Sequence, residues 1–151
     1  MPTYVCAVPA GLLSDGQKAE MAEAISRIHS EATGAPIYFV QVVIDEGGTT
    51  RFLGGRRADG QIWIRGDIRA GRPESVRKEM MLAMMRAVAG IGRVKESEIW
   101  VYLCSLEPTD MVEYGHVLPK PGEEQAWFDA LPSELQAYLA DLGTSRGTFK
   151  L

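Results

Sequence analysis

The order of apolar and polar positions in the first third of the chain predicts a strand followed by a helix. Residues 3–9, TYVCAVP, are rich in β-branched and aromatic side chains, which favour a short strand. Ser14 and Gln17 have the spacing of a capping box, in which the first residue caps the helix and the second bonds back to it. Apolar residues then recur three and four positions apart, which indicates an amphipathic helix that ends at Gly34.

The middle of the chain predicts further strands. Residues 37–45, IYFVQVVID, are so apolar that they favour a strand buried on both faces. Residues 52–56 and 61–65 are shorter strand candidates. We expect these two to form a hairpin around the Ala-Asp-Gly turn at 58–60.

The second half of the chain repeats the order of the first. Pro73 is expected at the first position of a second helix, where its missing N–H carries no cost. The apolar face of that helix carries Val76, Met80, Met84 and Val88. Residues 98–104, EIWVYLC, predict another buried strand. Residues 132–142 predict a short C-terminal helix that Gly143 stops, followed by a frayed tail.

These elements begin at matching intervals, near residues 3, 14 and 37 in one half and near 62, 73 and 98 in the other. We therefore expect one β-α-β unit used twice, with a right-handed crossover in each copy. If the two units join side by side, they form a four-stranded mixed sheet with two helices on one face. We therefore predict an α/β (α+β) fold. A single domain is expected over residues 1–151, with repeats at about 2–60 and 61–118 and an extension at about 119–151.

The sheet face opposite the helices has no covering element in this arrangement. Residues 38–44 offer no polar side, so we expect that face to be apolar. A symmetric oligomer covers such a face without additional elements, which predicts a homo-oligomer.

Composition narrows the classes of function. The 151 residues include 16 basic and 20 acidic side chains, a net charge of −4, which argues against nucleic-acid binding. No apolar run is long enough to span a bilayer, and the first residues lack a basic segment typical of a signal peptide. We therefore expect a cytoplasmic protein that binds neither nucleic acid nor membrane.

Neither cysteine has the spacing of a metal or redox motif. Cys6 and Cys104 are interpreted as reduced thiols in the core rather than as a disulfide. The sequence contains no phosphate-binding loop and no cluster of metal ligands. We therefore expect no metal or organic cofactor.

Arginine residues are concentrated in one stretch of the chain. Seven of the eleven lie between residues 51 and 77, where only three acidic residues occur. Arg69 and Arg72 stand in a glycine-containing loop just before a predicted helix, and guanidinium groups bind carboxylates bidentately. The pattern is compatible with an anion site and equally with a solvated loop whose arginines pair with surface acids.

Four further residues have both a structural and a functional interpretation. His29 near a helix end is typical of a structural histidine, Glu113 of a surface carboxylate, and Tyr102 of a core residue. Pro2 differs because the initiator methionine is generally removed before proline, which leaves a free secondary amine. A terminal amine has a pKa of about 8 and can act as acid or base near neutral pH.

Seven segments of the sequence carry a resemblance to a known family. They are PTYVC, IHSEATG, FLGG, IRAGR, EIWVYL, MVEYGHVLPKPG and WFDALPSE. Together they resemble the tautomerase superfamily, which is built around an amino-terminal proline, and within it the cis-3-chloroacrylic acid dehalogenase family. The resemblance covers about residues 2–142.

The resemblance implies roles for residues in both halves. Pro2 corresponds to the family's catalytic proline, and Arg69 and Arg72 correspond to the arginines that hold the substrate carboxylate. His29 matches the histidine that helps to position that carboxylate.

It also implies a homotrimer. Tyr102 matches a tyrosine that a neighbouring subunit contributes, and Glu113 matches the glutamate that activates water with its help. Ala35 and Phe39 fall at positions near the pocket.

The implied activity is cofactor-independent hydration of a small unsaturated carboxylate, such as cis-3-chloroacrylate, which would give malonate semialdehyde and halide. Pro2 would act as the acid. The alternative is a keto–enol tautomerase of 2-oxo acids such as phenylpyruvate, with Pro2 as the base. A lesser alternative is a non-catalytic interaction module.

Overall fold

A computed structural model describes residues 2–47 and 50–144. The strands are β1 (Thr3–Ala7), β2 (Gln41–Asp45), β3 (Phe52–Leu53), β4 (Arg56–Arg57), β5 (Ile62–Arg69), β6 (Ile99–Leu106), β7 (Val112–Glu113) and β8 (His116–Val117). The helices are α1 (Asp15–Thr33), α2 (Glu74–Gly92), α3 (Glu124–Asp129) and α4 (Ser133–Thr144). Short 3₁₀ turns cover Ile37–Phe39, Glu96–Glu98 and Pro108–Asp110.

The main sheet has four strands in the order β2-β1-β5-β6. Each β-α-β unit pairs its own two strands in parallel, β1 with β2 and β5 with β6. The two units meet where β1 and β5 pair antiparallel. Both α1 and α2 pack on one face, so the predicted mixed sheet and the doubled unit are confirmed.

Local signals set the ends of the helices. Ser14 accepts a hydrogen bond from the Gln17 N–H, and the Gln17 side chain bonds back to the Ser14 N–H, which confirms the capping box. Gly34 ends α1 at φ +70°, a left-handed conformation that glycine adopts without strain. Pro73 is the cap of α2 and Glu74 its first helical residue, one position later than predicted.

The main core lies between the sheet and the two long helices. Its fully buried side chains include Tyr4, Ile25, Ile64, Met80 and Met84. Val88 is also fully buried, so three of the four residues predicted for the apolar face of α2 pack into the core, whereas Val76 in the first turn is half-buried.

The prediction of a strand buried on both faces at 37–45 is wrong. The chain forms a 3₁₀ turn at Ile37–Phe39, and β2 begins only at Gln41. That strand lies at the sheet edge with alternating exposure, and Val43 is 39% exposed. The aromatic residues of the run instead enter a second core, formed by Tyr38, Phe39, Leu118, Phe128, Leu131 and Leu139.

The predicted hairpin around 58–60 is also wrong. β3 and β4 pair across Gly54 and Gly55, whose φ angles of +56° and +76° suit glycine. β5 pairs with β1 instead, because its alternate residues complete the main core.

The strand predicted at 98–104 corresponds to β6 but is not buried on both faces. Ile99 packs into the main core, whereas Trp100 and Tyr102 on the opposite face are exposed. We expected the open face to be wholly apolar, but it carries both aromatic side chains and the Arg65–Asp67 ion pair. β6 is exposed on this face because it lies at the sheet edge and its successive side chains point to opposite faces.

The C-terminal extension builds the second core. α3 and the β7–β8 hairpin are not predicted by the sequence pattern, because each is too short to show periodicity. α4 runs through Gly143 to Thr144 rather than stopping at the glycine, and the tail predicted to fray lies outside the described residues.

Within the described part of the chain, no helix is long and apolar enough to cross a membrane.

Gly66 allows the Tyr4 ring to lie against the sheet. A Cβ at Gly66 would lie 2.4 Å from Tyr4 Cε1 and 2.8 Å from Leu103 Cδ2. We expect Gly66→Ala to lower the free energy of unfolding by about 3 kcal/mol, measured by urea denaturation. Gly90→Ala is the matched control, because a Cβ there meets open space and favours the helix. Equal unfolding free energies for both variants would contradict this packing.

Candidate active site

Four of the six predicted site residues line one cavity. Pro2, His29, Arg69 and Arg72 surround it, together with Ala35 and Phe39. The cavity measures about 10 Å³, the space of about one water molecule. The sequence expectation that Ala35 and Phe39 lie near the pocket is therefore confirmed.

The join between the two units explains why distant residues meet here. β1 and β5 are antiparallel, and Thr3 pairs with Asp67, so the start of β1 lies beside the end of β5. Pro2 precedes β1, while Arg69 is the last residue of β5. His29 comes from the last turns of α1, which ends directly before the Gly34 turn.

Arg69 is a buried guanidinium with two partners. Its side chain is 4% exposed. Nη1 donates to the carbonyl of Pro119 at 2.8 Å, and Nη2 donates to Glu124 Oε1 at 2.6 Å. These bonds fix the guanidinium plane and use two of its five N–H groups, which leaves donors for a bound carboxylate.

Arg72 stands in the loop between β5 and α2. Its Nη1 donates to the carbonyl of Thr33 at 3.2 Å, and its own carbonyl accepts from Arg77 Nη1 at 2.6 Å. Burial lowers the pKa of Arg72, and the positive charge of Arg69 lowers it further. The two guanidinium groups are thus close enough to repel, which favours an anion between them.

His29 is bound to the phenol of Tyr4. The Tyr4 hydroxyl lies 2.7 Å from His29 Nδ1. Burial lowers the pKa of His29 to about 3, assisted by the charge of Arg72, so the ring is neutral at physiological pH. The same burial raises the pKa of Tyr4, which keeps its proton available to donate to Nδ1. The single ring proton of His29 then resides on Nε2, which makes the imidazole a hydrogen-bond donor.

Glu113 lies in an adjoining cavity of about 300 Å³, which shares Phe39 with the central one. Burial raises the pKa of Glu113, while the positive charge of Arg69 lowers it. The carboxyl group is therefore within electrostatic reach of Arg69.

A strained turn fixes Glu113. Tyr114 and Gly115 connect β7 to β8 with φ angles of +52° and +79°. Positive φ at both positions suits a tight two-residue hairpin but is costly for an aromatic residue. The Tyr114 hydroxyl donates to the carbonyl of Tyr38 at 3.2 Å, and its ring contacts Tyr138 edge-on. These contacts hold the turn that follows Glu113.

Tyr102 does not join the other five residues within one chain. It lies on the open face of the sheet, 49% exposed, with its ring edge-on to Trp63. Its interpretation as a core residue is wrong for the single chain, because the alternation of β6 directs it away from the helices.

Sequence reasoning missed Glu124 and Tyr4. Glu124 lies 55 positions from its partner Arg69, and Tyr4 lies 25 from His29, so no local spacing signals either pair. Among the described residues, no group of three or more His, Cys, Asp or Glu side chains is placed to hold a metal ion. Both cysteines are free thiols, Cys6 buried and Cys104 half-buried.

A family model and a solved structure assign this chain to the same superfamily. A family model described as "Putative oxalocrotonate tautomerase enzyme" matches residues 1–130. The crystal structure of N1, a member of the cis-3-chloroacrylic acid dehalogenase family, is 34% identical over 92% of this chain and 99% of that one, with a TM-score of 0.89. The chain belongs to the tautomerase superfamily and, within it, to the cis-3-chloroacrylic acid dehalogenase family.

More distant members of the superfamily share the fold. A native fused 4-OT is 25% identical over 82% of this chain and 97% of its own, with a TM-score of 0.70. A wild-type fused 4-OT described as a symmetric trimer is 20% identical over 77% of this chain and 94% of its own, with a TM-score of 0.71. No match was found among curated protein sequences. The residues matched by the tautomerase family model include all six predicted site residues and Glu124.

The low pKa of His29 in this tautomerase-superfamily protein gives a testable pH dependence. An unfolded histidine has a pKa of about 6.5, whereas the folded value is about 3. Between these values the unfolded chain binds more protons, so stability is lost as the pH falls below about 6.5. This single group contributes a slope of at most about 1.4 kcal/mol per pH unit.

We expect His29→Gln to remove that contribution. The test is urea unfolding of both proteins between pH 7.5 and 4.5. Parallel curves of unfolding free energy against pH would contradict a neutral, buried His29.

Proposed function

We propose that this protein is an enzyme that adds water to a small α,β-unsaturated carboxylate without a cofactor. Hydrolytic dehalogenation of cis-3-chloroacrylate to malonate semialdehyde is the representative reaction. The observation that carries the proposal is the cavity in which Pro2, His29, Arg69 and Arg72 meet, with Glu113 in the adjoining cavity. Membership of the dehalogenase family supports the same chemistry.

Arg69 and Arg72 bind the substrate carboxylate in this mechanism. Their N–H groups form charge-assisted hydrogen bonds that draw electron density from the double bond toward the carboxylate. His29 contributes a neutral donor from Nε2, because its Nδ1 is bound to Tyr4. The far alkene carbon becomes electrophilic as a result.

Glu113 accepts a proton from water as the water oxygen attacks that carbon. Burial raises the pKa of Glu113, which makes its carboxylate a stronger base than an exposed one. Protonated Pro2 gives its proton to the carbon next to the carboxylate. With a 3-chloro substrate, the resulting chlorohydrin loses HCl and leaves malonate semialdehyde.

Pro2 has the required amine once the initiator methionine is removed. A carboxylate nearby favours its protonated form, whereas nearby guanidinium groups oppose it. Glu113 supplies the first effect, and Arg69 and Arg72 supply the second. A protonated amine suits hydration, and a neutral one suits tautomerisation.

We further propose that the active form is a homotrimer in which Tyr102 of a neighbouring subunit assists Glu113. The open sheet face carries Trp63, Trp100 and Tyr102, exposed or half-buried aromatic side chains that a second copy would cover. The fused 4-OT with the same fold, described as a symmetric trimer, supports this assembly.

Keto–enol tautomerisation of a 2-oxo acid is the second candidate. The matching family model is named for a tautomerase, which favours it, and neutral Pro2 would then act as the base. Such a reaction needs no activated water and hence no base at Glu113.

Glu113→Gln separates the two activities. The variant should lose hydration of cis-3-chloroacrylate or propiolate at least about a hundredfold, because an amide cannot accept the water proton. Tautomerisation of phenylenolpyruvate should be largely kept. Both are measured spectrophotometrically, and equal loss of both would argue against water activation by Glu113.

Removal of the initiator methionine is the second test of the mechanism. A species that keeps Met1 has an ordinary tertiary amide at Pro2 and should be inactive. Intact mass spectrometry of separated fractions, paired with activity, measures this directly. Equal turnover with and without Met1 would exclude Pro2 from the chemistry, and no turnover in any assay would favour a non-catalytic interaction module.

A further inference from the structure

Glu124 places a fixed negative charge at the edge of the carboxylate clamp formed by Arg69 and Arg72. Its Oε1 lies 2.6 Å from Arg69 Nη2, and the two side chains are 17% and 4% exposed. The ion pair Lys18–Glu46 is more exposed, at 23% and 28%. The charge of Glu124 is therefore weakly screened by water and acts strongly on any anion in the clamp.

The backbone of the C-terminal extension holds this carboxylate in place. Glu124 Oε2 accepts a hydrogen bond from the Gly122 N–H at 2.7 Å. Burial alone would raise the pKa of Glu124, but the hydrogen bonds from Arg69 and the backbone lower it overall. The side chain thus remains a carboxylate at physiological pH.

Two larger cavities of about 300 Å³ each flank the central one. Glu113 lines one of them, and Arg72 and Glu124 line the other. Among the described residues lining these two spaces, Arg72 of the clamp supplies the positive charge, and each space contains a carboxylate. A substrate that extends from the clamp in either direction therefore approaches a negative charge.

We infer that Glu124 is a specificity-determining residue that restricts this site to monocarboxylates by repelling a second carboxylate. The inference rests on the proposed carboxylate clamp. In the proposed active form, two guanidinium groups and one ammonium face two carboxylates, with His29 neutral. One net positive charge remains, which a monoanion neutralises and a dianion exceeds.

The charge of Glu124 can be separated from its effect on the position of Arg69. A misplaced Arg69 weakens binding of every carboxylate that occupies the clamp, so the ratio between two ligands is preserved. Removal of a negative charge instead favours a dianion about twice as much, in free energy, as a monoanion. The ratio of the two affinities therefore reports charge alone.

The experiment uses malonate and its monoamide malonamate, which have nearly the same shape but differ by one charge at pH 7.5. Their dissociation constants are measured by calorimetry for the processed wild-type protein and for Glu124→Gln. We expect Glu124→Gln to shift the affinity ratio about tenfold toward malonate.

Two matched variants serve as controls. Glu124→Asp keeps the charge and should keep the wild-type ratio. Glu123→Gln removes the neighbouring, exposed carboxylate, whose charge is screened, and should also leave the ratio unchanged. Circular dichroism checks that each variant is folded. If Glu124→Gln unfolds, Glu124→Asp still tests the inference. A shift of the affinity ratio toward malonate in Glu124→Asp would contradict it, because that variant keeps the negative charge.

Each outcome separates this inference from the proposed function. Binding of both ligands with an unchanged ratio in Glu124→Gln would overturn the role of Glu124 and leave the clamp intact. Failure of the wild-type protein to bind malonamate, or malonamate binding that is unchanged in Arg72→Ala, would overturn the clamp and this inference with it.

Discussion

The burial of Arg69 is the constraint on which the architecture of the site depends. A guanidinium group inside a protein is stable only when its charge and donors are matched. Arg69 is the last residue of β5 and lies at the end of the sheet. Its guanidinium group donates hydrogen bonds to the carbonyl of Pro119 and to the carboxylate of Glu124. Both partners belong to the C-terminal extension, so that segment is part of the site and packs through its own apolar core.

Each copy of the doubled β-α-β unit contributes different residues to the candidate site. The first copy supplies Pro2 and His29, and the second supplies Arg69 and the loop with Arg72. The antiparallel pairing of β1 and β5 brings these halves together. Because the two copies have diverged in sequence, the second copy alone holds both arginines of the proposed clamp, whereas Pro2 and Glu113 of the proposed acid–base pair come from different copies.

Rigid neighbours set the chemical state of the site. The Tyr4 hydroxyl fixes the proton of His29 on Nε2, and the close approach of Tyr4 to the sheet depends on Gly66. Tyr114 holds Glu113 through a left-handed turn stabilised by a hydrogen bond to Tyr38. The side chains of the candidate site are therefore positioned by buried contacts, which would reduce the reorganisation needed in the proposed reaction.

The sequence by itself determined the repeated strand–helix–strand order and the helix caps, because these follow from local periodicity and from backbone preferences at Ser14 and Gly34. By resemblance it also predicted six site residues, four of which line the central cavity. Only the tertiary structure decided that residues 37–39 leave the sheet, that Tyr102 faces outward, and that Glu124 meets Arg69. Contacts between residues far apart in the chain depend on packing, which no local pattern encodes.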